Sequence, residues 1–280
     1  MRNSVQAWFF VFLTSAIFIS GGYVFFGRQG LLWAFTVIVF VNATIYFYGD
    51  QRILRYFNGR LLEGFDPWGV GYMVQRLAKK ARIPTPKVYI INSTAPQAFA
   101  VGRNWHNGKI LLTQGLLESL SSEELEAIIA YEIATIKQYD SLAFATSGLL
   151  VGALLAVTTS LDRALRWLFV IKQNNENFRG NLITYLLAPF IAFVLRLHVS
   201  PKNYFAIDKM ASRMVEKPEA LAHAIWKMSS FRETRPLHVP VSTAHIFFIN
   251  PLTAKGWSKY FCFQPNPKQR IKHIVGYYPI

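Results

Sequence analysis

An acid in the middle of an isoleucine stripe is the residue of this sequence best placed to do chemistry. Leu125, Ile128, Ile129, Ile133 and Ile136 recur at helical spacing and define one buried face. At about 100° per residue, Glu132 falls near the centre of that face. A buried carboxylate is costly unless it is paired or protonated. Glu132 is therefore either a structural acid bonded to a neighbouring cation or backbone group, or a proton-transfer group held in an apolar site. Asp208 is a second candidate acid, and two carboxylates that share a proton can do acid–base work. The histidines are His106, His198, His223, His238, His245 and His273. No two of them stand four apart, the spacing by which one helix presents two imidazoles to one metal ion.

The element carrying Glu132 has a well-marked start. Ser121 is followed three residues later by Glu124, the signature of a capping box, which predicts a helix over 122–139. Upstream, Val74, Leu77 and Ala78 share a face of a helix over 71–81 that Pro84 and Pro86 end. Short β-rich runs follow at 87–91 and 110–113, with the alternating APQAFAVGRN between them. These three runs predict a small antiparallel sheet, with a turn at 104–108. Further helices are expected in SPKNYFAIDKMASRMV, over 219–228 after Pro218, and over 268–275.

Hydropathy places this machinery beside a membrane. The chain has 280 residues, 52% hydrophobic and only 16% charged, below the usual charged share of a soluble domain. Four apolar runs, 5–26, 31–49, 141–161 and 180–198, the last uncharged as far as Leu195 and ending in Arg196 and His198, approach or reach the length a helix needs to cross a bilayer. The first run has an apolar core too long for a signal peptide, and a second run follows almost at once. Residues 1–49 therefore read as a transmembrane hairpin with Arg28 in its turn, and 141–198 as a second hairpin. The parts at 50–140 and 199–280 form one domain in two pieces. Those pieces carry eleven and twelve Lys and Arg, against Arg28 and four in the 162–179 loop, which places them on the cytosolic side. The net charge of +15 belongs beside anionic lipid, not on nucleic acid, since no groove-reading motif accompanies it. Cys262 is the single cysteine, so an internal disulfide is excluded.

With these elements in place, a resemblance can be stated. TPKVYIINSTAPQAFAVGR, KILLTQGLLESLSSEELEAIIA, YFAID, INPL and PKQRI resemble the HtpX-like membrane-embedded zinc metalloproteases over nearly the whole chain. The resemblance implies a mainly α fold with a small antiparallel sheet (α+β), four membrane helices and a cytoplasmic protease domain at a bacterial inner membrane. Family members hold zinc with the two histidines of H-E-x-x-H and a later glutamate, the motif Glu acting as general base. Here the matching positions read Tyr131, Glu132, Thr135, Tyr204 and Asp208, and Gln264 stands where the family has a histidine before proline.

Phenol and threonine hydroxyls are poor zinc ligands. The expectation from these residues is a catalytically inactive membrane pseudoprotease, working without zinc or another cofactor. It would bind a protein partner or an extended peptide along Ala98, Phe99, Ala100, Val101, Gly102 and Arg103, by backbone pairing to an exposed edge. A proline at Phe99 or Val101 would remove such pairing if those N–H groups face the ligand. Two alternatives stand beside it. One is an active membrane metalloprotease or acid-pair hydrolase with altered site chemistry. The other is a structural subunit of a membrane complex, packing through Gly148, Gly152 and Ala156.

Overall fold

A computed structural model describes residues 2–102, 104–138, 151–152, 154–165, 181–198, 200–252, 256–262 and 264–276. Most of the third apolar run, with Gly148, lies outside the described residues, as do Arg103 and most of the 162–179 loop.

The N-terminal helix α1, Arg2–Tyr56, is broken at Gly27, whose φ of 61° and ψ of −146° are not helical. A side chain there would be strained, and glycine adopts the conformation freely. The two arms fold back on each other. A Cβ on Gly22 would come within 2.6 Å of the Gly30 carbonyl oxygen, and Asn42 donates from Nδ2 to Ser15 Oγ at 3.0 Å. Among the described residues, Phe18–Thr44 is the stretch of helix long and apolar enough to cross a membrane, and the break at Gly27 lies within it.

Beyond α1 the sheet forms from β1 (Arg60–Leu61), β2 (Lys87–Ile91), β3 (Ala98–Val101) and β4 (Lys109–Thr113), in the order β1-β2-β4-β3. It is mixed and not antiparallel as expected. β3 and β4 form an antiparallel hairpin across the turn that Asn104 and Gly108 bracket, and β4 then inserts beside β2 in parallel register. Chain reversal at 92–97 followed by the hairpin turn leaves β2 and β4 pointing the same way. The two-residue β1 pairs antiparallel to β2 and is too short to leave a periodic signal.

Helix α2 (Val70–Ala81) packs against α4 (Ser122–Lys137), which runs through the centre of the domain, and the short α3 (Gln114–Ser119) follows β4. The capping box forms: Ser121 N–H donates to Glu124 Oε2 at 2.8 Å and Glu124 N–H to Ser121 Oγ at 3.3 Å. Every residue from Ala127 to Ile136 is buried, because α4 packs against β3, α2, α7 (Pro201–Ser212) and α8 (Pro218–Thr234). A final helix, α9 (Pro267–Val275), closes over α7 and α8. Segments on either side of the apolar runs 141–161 and 180–198 thus build one body.

Those runs contribute α5 (154–165) and α6 (Leu182–His198). Asp162 of α5 does for α6 what an N-cap residue usually does. Its carboxylate accepts from Ile183 N–H at 2.8 Å, Thr184 N–H at 3.0 Å and Thr184 Oγ1 at 2.7 Å, satisfying first-turn donors that have no intrahelical partner. Asp162→Ala is expected to lower stability by about 1–3 kcal/mol, the cost of stranding buried donors. Melting of the detergent-solubilised variant against the parent checks this, and an unchanged melting point would show that water replaces the cap.

Candidate active site

Glu132 sits where α4 passes under β3. It is 1% exposed; the Ala100 backbone N–H hydrogen-bonds to its carboxylate, and its Oε1 has no hydrogen-bond partner among the described residues. Burial raises its pKa well above the ordinary value, opposed by the charge of Arg270 and by the Ala100 N–H. The sheet register explains the Ala100 contact. Thr113 N–H bonds to Gln97 O at 3.0 Å, so by strand alternation Phe99 and Val101 turn their backbone groups toward β4. Ala98 and Ala100 face the other way. On that side Ala98 O accepts from Phe248 N–H at 2.9 Å, and Ala100 N–H reaches Glu132. The outward groups of β3 are thus those of Ala98 and Ala100, not the Phe99 and Val101 considered above. Moreover, the strand is buried along its length and partly covered by the 247–248 segment.

The other motif positions are engaged with the protein itself. Tyr131 is buried, with its ring 4.7 Å from that of Phe248 at 84°, and burial raises its pKa. Thr135 Oγ1 donates back to the Tyr131 carbonyl at 3.0 Å, while the Tyr204 hydroxyl donates to the His245 carbonyl at 2.9 Å. Asp208 is held by Arg270 through two bonds, Nη2 to Oδ1 at 2.7 Å and Nε to Oδ2 at 2.9 Å. An acid pair of Glu132 with Asp208 is therefore not formed, because the Asp208 carboxylate is saturated by a guanidinium. Gln264 is a clamp: Nε2 donates to the Phe247 carbonyl at 2.8 Å, and Oε1 accepts from Asn250 N–H at 2.8 Å.

Arg270 is the site residue that sequence reasoning passed over as an active participant. It is 1% exposed, lies over the rings of Tyr131 and Phe248 at 5.0 and 4.9 Å, and donates from Nη1 to the Phe248 carbonyl at 2.8 Å. Burial lowers its pKa, but the charge of Asp208, its hydrogen bonds and the neighbouring Tyr131 and Tyr204 together outweigh that, raise it and hold the guanidinium protonated. The sign available in the sequence was an arginine directly before Ile271, on the apolar side of a short helix.

Residues 70–277 match the model of peptidase family M48. The chain belongs to peptidase family M48. Its relatives include a protease HtpX homologue of Pyrococcus abyssi, 33% identical over 94% of this chain and 91% of that one. Another, of Thermococcus sibiricus, is 32% identical over 98% of this chain and 94% of its own length. Among solved structures, S. mikatae Ste24p shares the fold with a TM-score of 0.51 at 14% identity, over 98% of this chain and 65% of that one. The chain thus spans less than two thirds of Ste24p. These similarities and the apolar N-terminal helix mark a membrane-associated M48 protein.

Membership corrects three expectations. The inactive pseudoprotease, the assignment as a non-enzyme and the absence of zinc all rested on Tyr131, Thr135 and Tyr204. A peptidase family and relatives named as proteases point instead to an enzyme of the family, whose metal is zinc. Nor does a role in protein–protein interaction gain support from these relatives. The positions that the resemblance matches to metal ligands nevertheless carry Tyr131, Thr135 and Tyr204. Two phenols and a threonine, each packed or hydrogen-bonded internally, do not fit a zinc ion. Among the described residues no three of His, Cys, Asp and Glu converge as a ligand set.

Proposed function

We propose that this chain is a membrane peptidase of the M48 type with altered site chemistry, in which Glu132 is the proton-transfer group. The observation that carries the proposal is the placement of Glu132. By resemblance it takes the general-base position of the family motif; in the structure it touches the outward N–H of Ala100 on the edge strand and keeps one carboxylate oxygen uncommitted. A carboxyl whose pKa is raised by burial is suited to both halves of a hydrolysis, taking a proton from water and returning it to the leaving amine. Water adds across the C–N bond, and the proton count closes through Glu132.

The substrate class is an extended polypeptide, laid along β3 by backbone hydrogen bonds to Ala98 and Ala100, with residues 98–103 as the binding segment. That arrangement requires the 247–248 segment to share the edge or yield part of it. In the membrane, the reading is of four spans, two hairpins at 1–49 and 141–198, with the domain formed by 50–140 and 199–280 in the cytoplasm at a bacterial inner membrane. Charge bias supports this orientation. The test is incubation of the detergent-purified full chain with casein, with zinc supplied and with zinc chelated. Cleavage fragments that accumulate with time are expected. No cleavage under either condition would overturn the proposal.

A further inference from the structure

Helix α6 presents one continuous apolar stripe to its surroundings. Leu182, Leu186, Phe190 and Phe193 are 58%, 75%, 65% and 58% exposed, and their spacing of four, four and three keeps them on one face. Ala188, Ile191, Ala192 and Leu195 on the opposite face are buried. One turn past Phe193 the same stripe ends in Arg196, which is exposed. Arg196 borders a cavity of about 620 Å³ between the end of α6, the start of α7, and the 3-10 segment Gly256–Phe261. Lys259 stands on another wall, its Nζ 5.1 Å from the centre of the Tyr260 ring. Asn266 and Gln269 add amides, Phe193 and Phe205 add apolar surface, and among the described residues no Asp or Glu lines the cavity.

We infer that this cavity binds the headgroup of an anionic phospholipid, with the phosphate between Arg196 and Lys259 and an acyl chain along Phe193, Phe190 and Leu186. The charge is complementary: two cations face the cavity, and no acid among the described residues lines it. The stripe supplies the rest, because an apolar track that ends in a basic pocket matches a molecule with one anionic end and hydrocarbon tails, and a free phosphate or acidic peptide would leave the track unused. Each basic residue near an anionic surface contributes about a factor of 5 in affinity. Removing both is expected to weaken binding about 30-fold.

The inference rests on α6 lying in the bilayer, as read above, and not on peptidase activity. The test uses the full chain in neutral phosphatidylcholine nanodiscs, titrated with phosphatidylglycerol and read by native mass spectrometry and by the melting point. The parent is expected to retain phosphatidylglycerol and melt higher with it. Arg196→Gln with Lys259→Gln should lose both effects, Arg196→Lys should keep them, and a control pair at the exposed Lys79 and Lys87, both to Gln, should behave as the parent. Equal loss in the control pair would overturn the site in favour of general surface charge. Displacement of the lipid by millimolar inorganic phosphate would overturn the lipid assignment in favour of a free anion. A separate readout checks the membrane premise. Phe190→Cys in a Cys262→Ser background should resist a water-soluble maleimide in membranes, and full labelling would overturn the placement of α6 whatever the lipid titration gives.

Discussion

Replacing Glu132 by Gln is expected to lower peptide-bond cleavage by about 10²–10⁴-fold, the usual contribution of a positioned general acid–base group. The amide keeps the shape and can still accept from Ala100 N–H, so the loss reports proton transfer and not packing. Stability should move the other way. Burial raises the folded-state pKa of Glu132 above the ordinary 4.5, so the folded chain binds more protons than the unfolded chain once pH exceeds that value. Stability present below the unfolded pKa is therefore lost as pH rises through the folded pKa. Gln carries no such dependence. Melting curves should show Glu132→Gln above the parent at pH 8, with the difference shrinking toward pH 4. A variant that melts lower than the parent at pH 8 would mean that the carboxylate is stabilised in its ionised form.

Arg270→Met should destabilise the domain by about 3–5 kcal/mol, the cost of leaving a buried partner charge uncompensated. Asp208 is 0% exposed and has Arg270 as its salt-bridge partner. The same substitution removes the donor to the Phe248 carbonyl and the cation lying over two aromatic rings. Arg270→Met combined with Asp208→Leu should recover most of the loss, since two apolar groups of similar volume can replace a buried pair at little cost. Recovery should stop short of the parent because the Phe248 carbonyl stays unpaired, which costs about 1–3 kcal/mol. Denaturant titration in detergent measures both. A double variant no more stable than Arg270→Met would show that the pair matters for its hydrogen bond to the Phe248 carbonyl and not for its charge.

What could be read from the sequence was what local periodicity encodes. Helix α4, its capping box and the central position of Glu132 follow from spacing alone, and the reversal near Arg28 follows from two apolar runs separated by a few residues. The family came from longer strings of residues. Contacts between segments far apart in the chain were not legible. Insertion of β4 between β2 and β3 depends on how two reversals are stacked, and it decides that Ala98 and Ala100, not Phe99 and Val101, face away from the sheet. Tyr204 and Gln264 were seen as departures from a metal site. Their bonds to the carbonyls of His245 and Phe247 show that they hold a distant segment, a role with no periodic signature. Arg270 was hidden for the same reason, since its partners lie 62 residues away at Asp208 and 22 away at Phe248. The error about function had a different origin. Tyr131, Thr135 and Tyr204 alone imply lost activity, an inference from three side chains that the family's identity as peptidases overrides.

The central claim is that this M48 chain hydrolyses peptide bonds by proton transfer through Glu132, and the fate of water oxygen tests it most directly. Casein would be digested in H₂¹⁸O by the full chain and, in parallel, by Glu132→Gln, with zinc supplied to both. Mass spectrometry of the products is predicted to show new C-termini carrying ¹⁸O in the parent digest, and at most about one hundredth of them in the variant digest. Equal ¹⁸O incorporation by parent and variant, or none by the parent, would contradict the account.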